Sequence, residues 1–122
     1  MQASDYNKLM QRNLTHVFNE RDPQKRLEVI RELYNSDAVL NEPEASATGH
    51  EAISNAVTEL LGSLPPEIAF TAIGPAIGHH SLGRLRWQSG PPNGPAVVKG
   101  MDIAHFIKGR IQSLYVFIEN DA

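Results

Sequence analysis

The chain has 122 residues, 41% of them hydrophobic, which suits one domain over residues 1–122 with a real core. A formal net charge of −3 and scattered basic residues form no positive patch, so we expect no nucleic-acid partner. The absence of cysteine excludes disulfides and thiolate chemistry and makes the cytoplasm the expected compartment, and no apolar run has the length of a membrane span.

Two amphipathic helices are predicted at the start of the chain. Apolar residues recur at three- and four-residue steps between Tyr6 and Phe18, which gives the first helix one buried stripe. The pair Asp22 and Pro23 is typical of a helix start, with aspartate as the cap and proline at the first helical position. The second helix is predicted to end before a turn at residues 35–37.

A strand and a third helix are predicted next. The strand covers residues 38–42, and Pro43 ends it because proline cannot donate to a strand ladder. Thr48 and Glu51 have the spacing of a capping box at the start of the helix. Gly62 is the predicted end of that helix.

Strands dominate the second half of the chain. Four are predicted, at residues 67–73, 77–88, 95–107 and 111–118. Two glycines, Gly78 and Gly83, predict a bulge or bend in the second of them. Because short connections favour antiparallel neighbours, we expect an α+β domain. Three helices should pack on a strongly curved, mostly antiparallel sheet, a cone-shaped barrel with a hollow for a small ligand.

Four segments carry a resemblance to a known superfamily. They are residues 34–43 (YNSDAVLNEP), 49–53 (GHEAI), 100–106 (GMDIAHF) and 109–111 (GRI). Through them the chain resembles the nuclear transport factor two-like superfamily, and within it SnoaL-like polyketide cyclases and ketosteroid isomerases. The resemblance spans nearly the whole chain. It implies the fold more closely than the activity, because this fold carries isomerases, cyclases, hydrolases, dehydratases and non-catalytic binders.

The resemblance implies roles for two acids. Glu42 stands before proline, where ketosteroid isomerases keep the aspartate that shuttles the proton. Asp102 stands where they keep a protonated aspartic acid that hydrogen-bonds the substrate oxyanion. Their oxyanion tyrosine on the first helix has no match, since Phe18 would remove the donor and His16 would supply a different one. Losing such a donor typically costs about 10²–10³ in rate, so steroid isomerisation itself is not expected.

Strand alternation gives an independent argument for Asp102. If Asp102 faces inward, the residues that share its face are small or apolar: Val98, Gly100, Ala104 and Phe106. Glu42 alternates with Leu40 and Ala38 and should face inward in the same way. The alternatives are a surface acid paired with a basic residue for Asp102, and an exposed acid at a strand end for Glu42.

Two more residues are expected at the cavity wall. On one predicted strand, His79 and Trp87 point to the same face. Arg84 and Arg86 point to the opposite face, which should be the one in contact with water. Trp87 could stack on a flat ligand, although a single tryptophan is often simple core, and His79 could be only a hydrogen-bonded wall residue. No two histidines have the spacing of a metal site, so we expect no metal.

The sequence therefore predicts a pocket for a small apolar organic molecule with a carbonyl or similar oxygen, without a cofactor, nucleic acid or membrane. If the protein is an enzyme, Asp102 is the central acid or base and Glu42 its partner, in isomerase or cyclase chemistry. One alternative is a non-catalytic ligand-binding domain. The other is a dimerisation module, with a homodimer formed through the outward residues Met101, Ile103 and Ile107.

Overall fold

The computed structural model describes residues 1–119, which form three α-helices and seven strands. The helices are α1 (Ala3–Asn13), α2 (Pro23–Leu33) and α3 (His50–Gly62). The strands are β1 (Tyr34–Glu42), β2 (Ala45–Thr48), β3 (Ala69–Ala72), β4 (Ile77–His79), β5 (Leu82–Gly90), β6 (Val98–Ile107) and β7 (Arg110–Glu119). One π-helical turn, Leu14–Phe18, continues α1.

The strands form one curved sheet in the order β2-β1-β7-β6-β5-β3, with β4 paired to β5. All pairings are antiparallel except that of β1 with β7, which is parallel. The helices pack on the concave face, where most buried apolar side chains lie. The predicted α+β class is confirmed. The sheet is open rather than closed. It curves around the helices, but β2 and β3, at the two ends of the strand order, do not pair with each other.

Most of the predicted helix boundaries are confirmed. The Asp22 carboxylate accepts a hydrogen bond from the Gln24 backbone N–H at 3.0 Å, and Pro23 opens α2. Gly62 is the last residue of α3. The predicted capping box is wrong, because Gly49 is the N-cap of α3 and Thr48 belongs to β2, where it pairs with Val39.

The structure corrects two strands near the chain's turns. The predicted turn at residues 35–37 is part of β1, whose register with β7 shifts between Tyr34 and Val39. The predicted strand 77–88 is two strands, because the chain reverses at His80 and Ser81 with φ of 49° and 69°. Positive φ is uncommon outside glycine, and the pair lacks the Asn-Gly or Asp-Gly signal of a two-residue hairpin turn.

Helix α1 holds this hairpin against the sheet. The Tyr6 hydroxyl oxygen accepts a hydrogen bond from the Ser81 backbone N–H at 2.8 Å. A Cβ atom at Gly78 would lie 2.3 Å from the Tyr6 ring, and one at Gly83 would lie 2.7 Å from the Met10 sulfur. The two glycines therefore permit close helix packing rather than the predicted bulge. Within residues 1–119, no helix combines the length and apolar character needed to cross a membrane.

Candidate active site

A cavity of about 260 Å³ lies on the concave side of the sheet. This volume is just below the range of about 300–1,000 Å³ that is usual for ligand pockets, so it suits a small molecule. Ten of its lining residues are apolar: Leu14, Phe18, Pro43, Leu60, Leu64, Phe70, Trp87, Val98, Val116 and Ile118. The polar lining residues are Glu42, Ser89 and Asp102.

Asp102 faces this cavity from β6. The burial of β6 alternates as predicted, with Gly100, Asp102, Ala104 and Phe106 buried and Lys99 exposed. The Asp102 side chain is 4% exposed, and its Oδ1 accepts a hydrogen bond from Trp87 Nε1 at 2.9 Å. Burial raises the pKa of Asp102 to about 7, and the Trp87 hydrogen bond opposes that rise. Asp102 is therefore not the surface acid of the alternative interpretation.

A glycine allows Trp87 to reach Asp102. Trp87 on β5 pairs with Gly100 on β6, and a Cβ atom at position 100 would lie 2.2 Å from Cζ2 of the indole. The ring therefore lies across β6 at the point where a side chain would otherwise stand. Trp87 also packs edge-to-face on Phe70, with ring centroids 5.3 Å apart, and Phe70 packs in the same way on Phe18 at 6.3 Å. The three rings form one aromatic wall of the cavity.

Glu42 reaches the same cavity from the end of β1. Burial raises the pKa of Glu42, and the negative charge of Glu59 on α3 adds to that rise. On β7, Val116 pairs directly with Asp102 on one side. On the other side, the parallel register of β1 with β7 ends at Asn41 and Tyr115, and Glu42 and Val116 are the next residues of the two strands. The two acids therefore lie two strand spacings apart, about 10 Å between backbones, on one face of the sheet.

Of the two residues considered for the place of the missing tyrosine, Phe18 lines the cavity and His16 does not. Phe18 lies in the π-helical turn, is buried and lines the cavity, whereas His16 is exposed to solvent. The alternative in which His16 supplies a donor to the cavity is therefore wrong, because the π-helical turn directs Val17 and Phe18 inward and His16 outward. The cavity has no hydroxyl donor at this point.

His79 also lies away from the cavity. It is exposed on β4, and its Nδ1 is 2.8 Å from Nδ1 of His80. The expected inward orientation is wrong, because the hairpin at His80 and Ser81 reverses the chain between His79 and Trp87. Strand parity holds only within one strand, and these two residues belong to different ones.

Two polar residues at or near the cavity were not predicted from the sequence. Ser89 is 5% exposed, lines the cavity and shares strand parity with Trp87, which is the signal that could have revealed it. Tyr34 is fully buried, and its hydroxyl donates a hydrogen bond to Asn13 Oδ1 at 2.6 Å. Burial raises the pKa of Tyr34 and the charge of Asp102 raises it further, so Tyr34 stays a neutral hydrogen-bond donor. No group of three metal-ligating side chains occurs within residues 1–119.

Solved structures share this architecture. A candidate isomerase of the SnoaL-like family from Agrobacterium tumefaciens has a TM-score of 0.88 at 21% identity, over 96% of this chain and 99% of the other. A candidate ketosteroid isomerase from Kribbella flavida has a TM-score of 0.74 at 11% identity, over 98% and 82% of the two chains. A candidate polyketide cyclase from Sinorhizobium meliloti has a TM-score of 0.71 at 15% identity, over 95% and 99%.

The chain thus has the fold of SnoaL-like and nuclear transport factor two-like proteins, and the predicted resemblance is confirmed at that level. No protein-family model matches the sequence, and no curated protein is significantly similar to it. At these identities the likeness concerns the fold, and one fold of this kind hosts many activities. The activity must therefore be argued from the cavity itself.

Proposed function

We propose that this SnoaL-like domain binds a small apolar organic molecule and carries out cofactor-independent acid–base chemistry on a carbonyl-containing substrate. The reaction would be of the isomerase or cyclase type. The observation that carries the proposal is the presence of two acids, Glu42 and Asp102, in one largely apolar cavity. A buried carboxyl group destabilises a fold unless it is paired or neutral, so its presence in an apolar cavity favours a chemical role.

The environments of the two acids favour different roles. Asp102 is almost fully buried and has a pKa of about 7, so at neutral pH it holds a proton for part of the time. A protonated Asp102 would donate a hydrogen bond to the carbonyl oxygen and stabilise the enolate that forms. Glu42 is only half-buried at the end of β1 and would ionise first, so it would be the base that removes the proton beside the carbonyl.

The distance between the two acids is compatible with one acting as the base and the other as the hydrogen-bond donor. Glu42 and Asp102 approach the cavity from opposite sides of Val116, so a small ketone can lie between them and meet one acid at each end. The aromatic wall of Phe18, Phe70 and Trp87 would hold the apolar body of the substrate and exclude water. Trp87 would also position the Asp102 carboxyl through its hydrogen bond.

Exchange of hydrogen for deuterium tests this chemistry without knowledge of the natural substrate. Small apolar ketones that bind the protein should exchange the protons beside their carbonyl with heavy water faster than the uncatalysed reaction. Both Asp102→Asn and Glu42→Gln should abolish this exchange while leaving ketone affinity almost unchanged. Glu44→Gln is the matched control, because Glu44 is an exposed acid outside the cavity lining. Ketones that bind without any accelerated exchange would refute the catalytic role.

Phe18 favours a second candidate, a non-catalytic binding domain. The residue places an apolar ring where a hydroxyl donor would assist an enzyme of the isomerase type. A binder of this kind would retain ligand affinity in Asp102→Asn and show no exchange in the unaltered chain. The exchange experiment therefore separates the two candidates.

The convex face of the sheet supports a homodimer. Several large apolar side chains are exposed there on neighbouring strands: Ile77, Leu82, Ile107, Tyr115 and Phe117. Met101 pairs with Phe117, and Ile103 with Tyr115, within the same face. A second copy of the chain would remove this surface from water. Met101→Glu should then convert dimer to monomer in analytical ultracentrifugation without altering the cavity, and a chain that is monomeric before the substitution would contradict the proposal.

A further inference from the structure

The charges around the cavity are of one sign. Its lining contains two carboxyl groups and no lysine, arginine or histidine. The acidic side chain of Glu59 acts on Glu42 from α3 and adds to the negative charge. The basic residues nearest in sequence to the site point elsewhere, since Lys99 is exposed and Arg86 pairs with Glu119 at 3.3 Å. An anion that entered would meet repulsion with no counter-charge.

A further polar group lines the cavity. Ser89 is 5% exposed and lines the cavity, and its hydroxyl makes no hydrogen bond within residues 1–119. Its backbone carbonyl is already used by the Val97 N–H at 2.7 Å, so the side chain alone remains available. The hydroxyl is open to the cavity, because no fully buried side-chain polar atom in residues 1–119 lacks a partner, and it adds no positive charge to the lining.

We propose that the cavity selects apolar ligands that carry a cationic group, such as a protonated amine, over neutral and anionic ones of the same size. The ammonium would donate charge-assisted hydrogen bonds to the carboxylates of Asp102 and Glu42. Its apolar body would lie on the rings of Phe18 and Phe70, which also attract cations. This inference rests on the proposed function, because it names the class of ligand for the same cavity.

Three small probes that differ in their charged group test the selection. Phenethylamine, phenethyl alcohol and phenylacetate share an aromatic body and carry a cation, a hydroxyl and an anion. Trp87 is the single tryptophan of the chain and lines the cavity, so its fluorescence reports binding. At about pH 8 the amine should bind about tenfold more tightly than the alcohol, as one charge-assisted hydrogen bond implies, and phenylacetate should not bind.

Variants assign the selection to the acids. Asp102→Asn keeps an oxygen that can accept from Trp87, and it should reduce the difference between amine and alcohol to about threefold or less, as should Glu42→Gln. Glu44→Gln should keep the full difference. Circular dichroism of each variant checks that it folds. If a variant does not fold, titration of the unaltered chain with the three probes still decides the order of affinities.

The outcomes separate this inference from the proposed function. If the alcohol or phenylacetate binds as tightly as the amine, the charge selection is wrong while ligand binding and the exchange chemistry still stand. If the amine is preferred but ketones bind without exchange, the selection stands and the catalytic role fails. If none of the three probes binds, the charge selection is wrong, and the ketone exchange experiment alone decides the proposed function.

Discussion

Charged side chains have different environments on the two faces of the sheet. On the convex face, Arg86 forms an ion pair with Glu119 and both side chains remain partly exposed. On the concave face, Asp102 is 4% exposed and its carboxylate accepts one hydrogen bond, from the neutral indole of Trp87. Residues of the same strands alternate between the two environments, so the difference comes from what covers each face.

The energetic cost of a charged side chain differs between the two faces. A charge on the convex face costs the fold little, because water and a counter-ion solvate it. A carboxyl group on the concave face is desolvated, and this loss of solvation raises its pKa. An apolar residue at position 102 would stabilise the fold better, which supports the role proposed for this acid at the cavity. Four substitutions can break or sharpen this contrast.

Asp102→Asn should give the largest effect on stability. Between pH 3.8 and about 7 the folded chain holds a proton on Asp102 that the unfolded chain has released, so stability falls as pH rises through this window. Above about pH 7 the ionised, buried carboxylate costs on the order of 4 kcal/mol, which the asparagine variant should regain.

Urea denaturation at several pH values measures this difference. The variant and the unaltered chain should be equally stable below about pH 4 and diverge as pH rises. Trp87 fluorescence should also titrate with a midpoint near 7 in the unaltered chain and not in the variant. Parallel pH profiles for the two proteins would show that Asp102 is solvated, and the contrast between the faces would disappear.

Gly100→Ala tests how closely the concave face is packed. Its Cβ would overlap the Trp87 ring, so the indole must move and its hydrogen bond to Asp102 must weaken. We expect a loss of about 1–3 kcal/mol in denaturant titration and a shifted tryptophan emission. Gly62→Ala is the control, because no atom lies within 4 Å of the added Cβ. Equal stability of the two variants would contradict the close packing.

Tyr34→Phe tests the buried hydrogen bond beside the site. The substitution leaves Asn13 Oδ1 without its donor at 2.6 Å, which should cost about 1–2 kcal/mol in thermal or urea unfolding. Tyr115→Phe removes the same hydroxyl group from an exposed position on the convex face and should leave stability unchanged. A similar loss in both variants would mean that burial does not control the effect.

Arg86→Gln should give the smallest effect. It breaks the half-exposed pair with Glu119, and such surface pairs contribute less than about 1 kcal/mol. Arg84→Gln on the same strand is the control, since Arg84 is exposed and forms no ion pair in the part of the chain that the structure describes. The small difference should vanish in high salt, as measured by urea denaturation. A loss as large as the gain expected for Asp102→Asn would show that the convex face is also desolvated.

Local patterns in the sequence predicted much of the fold and part of the site. Asp22 and Pro23 start α2, and the alternation along β6 places Asp102 inward, because caps and strand parity depend only on near neighbours in the chain. The same reasoning failed for His79, because the hairpin at His80 and Ser81 uses positive φ at residues that give no turn signal. It also left Phe18 and His16 undecided, since a π-helical turn changes which side chain faces inward.

The sequence by itself determined that Asp102 belongs to an inward, largely apolar strand face and that Glu42 ends another strand. Only the tertiary structure decided that both line one cavity. This arrangement depends on the parallel pairing of β1 with β7, which brings Glu42 and Asp102 to opposite sides of Val116. Periodicity fixes the face on which a side chain lies, but the choice of partner strand depends on packing between segments more than 70 residues apart.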